Sequence, residues 1–160
     1  MKRIKLTQGK WALVDDSDFE RLNQWKWFAD KQGNTFYAVR NSATINGKQT
    51  RIRMHRVIMN THEGMETDHA DRNGLNNQKH NLRICTKSQN RMNRKKYVKN
   101  SSKYKGVTWA KYAKKWRARI QINIKAIFLG HFLLEEEAAL AYNKKAKELF
   151  GEFAYLNKIK

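Results

Sequence analysis

Asp68 and His69 stand side by side at the start of a polar stretch, with Asn81 and Asn90 further along it. An Asp carboxylate and an Asn carbonyl are hard oxygen ligands of the kind Mg²⁺ accepts. Mg²⁺ usually takes one or two protein ligands and fills its shell with water and phosphate. A histidine beside such a ligand titrates near neutrality and can take a proton from an attacking water. Held together, these side chains would put a metal, a base and a scissile phosphate in one small volume. Taken alone, an Asp-His pair reads as a surface ion pair or a cap, and an Asn-rich loop reads as a turn. It is the spacing of the whole set that points to chemistry.

Strand, loop, strand and helix must position them. Met65 to His69 reads as a short strand, followed by the loop Asn73-Gly74-Leu75-Asn76-Asn77. Leu82 to Cys85 alternates apolar and polar residues, the pattern of a half-buried strand. Thr86 stands three residues before Gln89, a capping box that predicts a helix start. The helix is expected from Gln89 to about Lys95, with Asn90 in its first or second turn. His62 and His80 are expected to be exposed, and His55 to pack against the site or position it.

This stretch resembles the HNH nuclease motif in the form found in phage and intron-encoded homing endonucleases. The matching pieces are HRVIM at 55–59, DHADRNGLNN at 68–77, NLRICT at 81–86, and Asn90. The resemblance implies a ββα metal motif in which Asp68 and Asn90 hold one Mg²⁺ or Mn²⁺ ion per site and His69 is the general base. Asn81, the middle residue of the motif, would serve the catalytic centre by tying the loop to the helix through backbone hydrogen bonds. Arg83 or Arg91 would neutralise a neighbouring phosphate. Asn90 stands where many relatives have His.

Composition points to the partner. The 160 residues suffice for one ordinary domain or two small ones. A net charge of +20, from 34 Lys and Arg against 14 Asp and Glu, implies a polyanion, most simply nucleic acid. From Arg72 to Leu134 there is no Asp or Glu, and this run holds 17 of the 34 basic residues. Such a single-sign stretch suits a phosphate backbone. An anionic membrane would attract the same charge, but no apolar run approaches a span and no basic amphipathic helix is evident. The lone Cys85 excludes an internal disulfide and a paired-cysteine zinc site; it is expected in the core. The opening MKRIKLTQGKW lacks the apolar core of a secretory signal, so a cytoplasmic protein is expected.

Residues 1–50 read as short strands and turns: Met1 to Leu6, Lys10 to Val14, Trp25 to Ala29 and Phe36 to Arg40, with a short helix over Asp18 to Trp25. Thr44 to Arg53 is expected to be a hairpin turning at Asn46-Gly47. Met54 to Asn60 is expected to be helical. Trp11, Trp25, Trp27 and Phe28 are expected in a core that buries one side of the motif. The acids Asp15, Asp16, Asp18 and Glu20 make this the least DNA-like segment. Together with the motif it forms a first unit, 1–95. A basic linker, 96–103, is either a solvated tether or a segment that lies along a duplex.

A second unit, 104–157, reads as three strands and a helix. Tyr104 to Trp109 is the first strand. In Lys115 to Ile122, Trp116, Ala118, Ile120 and Ile122 share one face, and Arg117, Arg119 and Gln121 share the other. Asn123 marks a turn, and Ile124 to Phe132 returns. Glu135 to Phe150 is a helix with Ala138, Ala139, Tyr142, Ala146 and Leu149 in its apolar stripe. A three-stranded antiparallel sheet packed on one helix leaves an open face, here expected to carry Arg117, Arg119 and Gln121 with Lys105 and Trp109. Such a face can enter a major groove. The unit resembles the APETALA2/ethylene-response-factor DNA-binding domain, through YKGV at 104–107, KKWRARI at 114–120, FLGHF at 128–132, EEAALAY at 136–142 and GEFAYLN at 151–157. It departs from that pattern at Ala126, where a basic residue is common, at Leu134, where a Ser or Thr cap is usual, and at Asn143, where Asp is usual.

The expected fold is therefore α+β, and the expected activity is metal-dependent hydrolysis of double-stranded DNA, by a chain with no membrane or protein partner evident. A monomer with one site would nick one strand. Two readings from other classes remain: a non-catalytic DNA-binding regulator that keeps the motif as a scaffold, and an RNA-binding protein, which would not explain Asp68, His69 and Asn90 together.

Overall fold

The computed structural model describes residues 1–95, 101–122 and 125–159. The chain divides into two units, Met1–Asn90 and Arg91–Lys160. Each mixes helices with small antiparallel sheets, an α+β architecture. The division follows Asn90, inside a helix, rather than residue 95. Residues 96–100 of the expected linker, and the turn expected at Asn123 and Ile124, lie outside the described residues.

In the first unit β1 (Lys2–Lys5) and β2 (Trp11–Val14) form a hairpin, followed by α1 (Asp16–Asn23). Next, β3 (Phe28–Gln32), β4 (Thr35–Asn41) and β5 (Arg51–Arg53) form an antiparallel sheet. The hairpin expected over Thr44 to Arg53 exists only at its tip. Asn46 and Gly47 take positive φ, 50° and 71°, and Ile45 bridges Lys48, as an Asn-Gly turn requires. Arg51–Arg53 pair instead with β4, Val39 opposite Arg53, which covers an edge that a closed local hairpin would leave bare.

The core holds Ile4, Val14, Leu22, Trp27, Ala38, Met54 and Leu82 among others. Trp27 is buried, and its indole N–H donates to the Leu22 carbonyl at 2.8 Å. Two tryptophans expected in the core are not there: Trp11 is 47% exposed and Trp25 48%. Trp11 alternates with the buried Ala12 on β2, so the strand period turns it outward. Trp25 follows the end of α1, where the Arg40 guanidinium covers its ring at 4.2 Å.

Helix α2 (Met54–Met59) buries Met54, His55 and Ile58 and ends on Asn60 in the left-handed region. Strands β6 (Glu66–His69) and β7 (Leu82–Cys85) then pair, Asp68 opposite Arg83 and His69 opposite Leu82. The capping box is present: Thr86 Oγ1 accepts from Gln89 N–H at 3.2 Å, and Gln89 Oε1 from Thr86 N–H at 2.8 Å. It starts α3 (Lys87–Asn93), with Asn90 in the first turn.

The second unit contains β8 (Val107–Ala110), β9 (Lys115–Ile122) and β10 (Lys125–Phe132), in the order β10-β9-β8. Helix α4 (Glu135–Phe150) covers one face, burying Ala138, Ala139, Tyr142, Ala146 and Phe150. The departures from the expected pattern are accommodated locally. Leu134 offers no side-chain acceptor, but Glu137 takes its backbone N–H at 3.3 Å. Asn143 clasps the buried Asn157, accepting from its N–H at 2.7 Å and donating to its carbonyl at 2.9 Å. An ionised Asp could make only the first of these bonds. Ser101, Ser102 and Lys103 are no tether: they bond to Trp109, Tyr104 and Glu135 respectively. Among the described residues no helix is long and apolar enough to cross a membrane.

The loop between β6 and β7 runs along the first unit's older strands. Leu13 and Asn76 form a parallel bridge, with Leu13 N–H on the Leu75 carbonyl and Asn77 N–H on the Leu13 carbonyl, both at 2.8 Å. Gly74 N–H donates to Thr35 Oγ1 at 3.1 Å. A Cβ at Gly74 would meet the Phe36 carbonyl oxygen at 2.5 Å and the Tyr37 ring at 2.7 Å. Gly74→Ala should therefore cost about 1–3 kcal/mol, seen as a lower urea midpoint. An unchanged midpoint would show that the loop is not pressed against β4.

Candidate active site

A strand shows alternate residues to opposite faces, and the β6–β7 register sorts the candidate residues accordingly. Glu66 and Asp68 share one face with their partners Cys85 and Arg83; Thr67 and His69 share the other with Ile84 and Leu82. Asp68 is buried and its carboxylate accepts from the Arg83 guanidinium. Arg83 is thus engaged by the candidate metal ligand rather than open to a phosphate. Asn90, from α3, lies on the same face: its Nδ2 donates to the Glu66 carboxylate. Asp68 and Asn90 are thus linked through one strand, with Glu66 between them. Cys85, 1% exposed, is pushed up to about 11 by burial and by the nearby Asp68 and Glu66 carboxylates; it is an inert core thiol.

His69 is turned to the other side, at the loop end of the hairpin. Its ring is 4% exposed and packs edge-on to His55, centroids 4.9 Å apart, with Tyr37 at 5.8 Å. Nε2 lies 3.3 Å from Asn77 Oδ1. Asn77 is fully buried, and its Nδ2 donates to the Leu75 carbonyl, also at 3.3 Å, which leaves Oδ1 directed at the ring. An amide oxygen only accepts, so in this bond Nε2 is the donor. Burial lowers the His69 pKa from its ordinary 6.5, against upward pulls from the Asn77 bond and the Asp71 and Asp68 carboxylates. The ring is therefore a neutral base at pH 7.

Asn81 does not tie the loop to the helix. Its side chain accepts from Asp71 N–H at 3.0 Å and donates to Asp71 Oδ1 at 2.9 Å and to the Asn76 carbonyl at 2.8 Å. All three partners are in the loop, because Asn81 sits where the chain turns back into β7. Asn81 is a positioning residue. Asp71 answers it, also accepting from Asn73 N–H and Asn76 Nδ2, each at 2.8 Å. The acids of the first unit join in: Asp15 accepts from Lys79 N–H at 2.8 Å and from Gln78 Nε2 at 3.3 Å.

An uncharacterised HNH endonuclease of Acanthamoeba polyphaga mimivirus is 34% identical over 158 residues, spanning 95% of this chain and 77% of that protein. The chain belongs to the HNH endonuclease family. Protein 3.8 of Escherichia phage T7 is also 34% identical, over 92 residues, 58% of this chain and 75% of that one. No family model matches the chain, and no solved structure does.

Within this HNH-family chain, the second unit's open sheet face is described by its register. Arg117 pairs with Thr108 and His131, and Arg119 with Phe128. Gln121 pairs with Ala126. Arg119 and Gln121 are exposed and Arg117 half-buried. Two residues expected on this face are elsewhere. Trp109 pairs with Trp116, ring centroids 5.1 Å apart, on the side facing α4; Thr108 holds the place expected for it. Lys105 precedes β8, and its ammonium donates to the Met92 and Arg94 carbonyls at 2.7 Å, closing the end of α3. Arg91 is exposed on α3. Sequence reading missed Phe128, 59% exposed beside Arg119, and His131, bonded to Tyr112 Oη at 3.1 Å. A bulge between Phe128 and Gly130 sets their facing, and no sequence pattern announced it. Asn77 and Asp71 were missed because both look like ordinary turn residues.

His55 supplies a pH test. It is 5% exposed, and its Nδ1 has no hydrogen-bond partner among the described residues. Burial, with His69, Arg53 and Arg56 nearby, pushes it down to about 2 from 6.5. Between those values the unfolded chain binds a proton that the folded chain excludes. The stability from the neutral ring is thus full above pH 6.5 and lost as pH falls towards 2, by at most about 1.4 kcal/mol per pH unit. His55→Gln should flatten the fall in urea midpoint between about pH 7 and about pH 5. A variant with the parent's full acid sensitivity would place the proton elsewhere.

Proposed function

We propose that the chain is a metal-dependent DNA endonuclease of the homing type, hydrolysing phosphodiester bonds at sites chosen by its second unit. The observation that carries this reading is the arrangement of β6, β7 and α3 in a family member. A carboxylate and the candidate base are neighbours on one strand, and the α3 amide bonds to a third residue of that strand. The donor set fits a hard cation: Asp68 offers carboxylate oxygen, and Asn90, its nitrogen committed to Glu66, offers amide oxygen. Among the described residues no group of three His, Cys, Asp or Glu side chains is placed to hold a metal ion, so a two-ligand site completed by water and phosphate is the one proposed. A Mg²⁺ or Mn²⁺ ion held by Asp68 and Asn90 would stabilise the charge that develops on the phosphate and the leaving 3′ oxygen.

The chain's own residues do the rest. Asn77, beside Nε2, holds the His69 ring in place as the base for an attacking water. Asn81 and Asp71 hold the loop that carries Asn77. Arg83, on the facing strand, pairs with Asp68 and holds its carboxylate in place. In the second unit we read an APETALA2/ethylene-response-factor-like sheet whose open face, with Arg117, Arg119 and Gln121, lies in the major groove of duplex DNA. One site per chain makes a monomer a nicking enzyme.

A second reading, a DNA-binding regulator that keeps the motif as a scaffold, draws support from the burial of His69 and the Arg83 pairing of Asp68. Supercoiled plasmid separates the two. On the nuclease reading, Mg²⁺ gives nicked circles, EDTA prevents them, and Asp68→Ala and His69→Ala each abolish nicking with DNA affinity retained. Wild-type rates in either variant would reassign the site, and no cutting by the parent chain would leave the regulator. Arg117→Ala with Arg119→Ala should weaken DNA binding and lower the salt slope by about 0.9 for each phosphate no longer neutralised. An unchanged slope would place the phosphate-binding side chains off the sheet.

A further inference from the structure

The Asn90 amide is not free to turn. Its Nδ2 donates to Glu66 Oε2 from across the hairpin. An ionised carboxylate has only acceptors, so it selects the nitrogen and rejects the oxygen of the amide. Without that partner, an asparagine amide can flip, and half of its orientations would present N–H, which repels a cation, where a ligand oxygen is wanted. Glu66 lies two residues before Asp68 on the same strand face, so its carboxylate approaches the α3 side chain from the strand that carries the other ligand. No part of the HNH motif includes Glu66. Its backbone is fixed by pairing opposite Cys85, and its side chain is half-buried.

We infer that Glu66 is a positioning residue for metal binding: its carboxylate orients the Asn90 amide so that Oδ1 is presented as a ligand beside Asp68. The inference rests on the metal-site reading proposed above. It makes Glu66 an acceptor rather than a ligand, and the two roles separate by substitution. In Glu66→Gln the side-chain carbonyl still accepts from Asn90 Nδ2 and the charge is gone; in Glu66→Ala both are gone.

The test is Mn²⁺ binding to the full chain without DNA, read from the loss of the free-ion paramagnetic resonance signal. Removing the outer partner of a metal ligand typically weakens binding about 10- to 100-fold. Glu66→Ala should fall by at least tenfold, within that range, while Glu66→Gln should stay within about threefold of the parent. A nitrogen–proton correlation spectrum of the Asn90 side-chain amide gives a metal-free readout. Its two protons should be unequally protected from exchange in the parent and in Glu66→Gln, and equalised in Glu66→Ala. Parent-like Mn²⁺ affinity in Glu66→Ala overturns the inference. So does equal weakening in both variants, which would make the charge the operative property. If the parent binds no more Mn²⁺ than Asp68→Ala does, the metal reading itself falls and this role with it. The Asn90 spectrum then tells whether the Glu66 contact exists without a metal to serve.

Discussion

Two strands of four residues cannot hold a reactive geometry by themselves. The β6–β7 pair is fixed because the loop joining them is fixed. That loop has few apolar side chains to bury, so its order comes from polar bonds that leave few of its backbone groups unmet. Asp71 and Asn81 close it from inside, bonding to each other and to Asn73 and Asn76. Leu13, Asp15 and Thr35 close it from outside, through Leu75, Asn77, Lys79 and Gly74. The consequence reaches His69, whose tautomer depends on Asn77 lying where the loop places it. An Asn-rich sequence that looks like a flexible turn is here tied down, because its Asn side chains bond to the loop's own backbone and side chains.

The distribution of charge follows the same division of labour. The acids near the N-terminus are not a leftover negative patch. Asp15 holds Lys79 N–H, and the buried Asp18 pairs with Arg21 and Lys79. They brace the loop from the scaffold side. In the second unit the acids gather in the first turn of α4, where Glu135, Glu136 and Glu137 meet the positive end of the helix dipole. The open sheet face is left with Arg117, Arg119 and Gln121. A chain of +20 thus uses several of its 14 carboxylates as internal fasteners and keeps a large excess of basic side chains, which suits a polyanion.

What was legible in the sequence was whatever depended on short range. The capping box at Thr86–Gln89, the Asn46-Gly47 turn, the Leu82–Cys85 strand and the alternation in β9 all rest on neighbours within a few residues, and the structure has each of them. The misplacements share the opposite cause. Trp11 looked like core because it is large and apolar, yet its facing is set by which side of β2 meets Leu22 and Met54. Trp109 and Lys105 were put on the open face by proximity in the chain. The register across β8 and β9, which a sequence does not print, turns Trp109 to the helix side. Lys105 lies outside the strand, and the carbonyls at the end of α3 claim it. Asn77 is a harder case. Its signal, an Asn in an Asn-rich loop, is the same whether the side chain faces water or the His69 ring.

The pairing of Arg83 with Asp68 offsets the burial of a carboxylate. Asp68 is a buried carboxylate, its side chain 7% exposed, and a charge in that position without a partner costs several kcal/mol. The guanidinium opposite it in register supplies the compensation. This is why Arg83 is on the strand partner of Asp68 rather than on the loop: the ladder fixes the separation, so no side-chain search is needed. On the nuclease reading, a dication held by Asp68 and Asn90 would share that compensation with the Arg83 guanidinium.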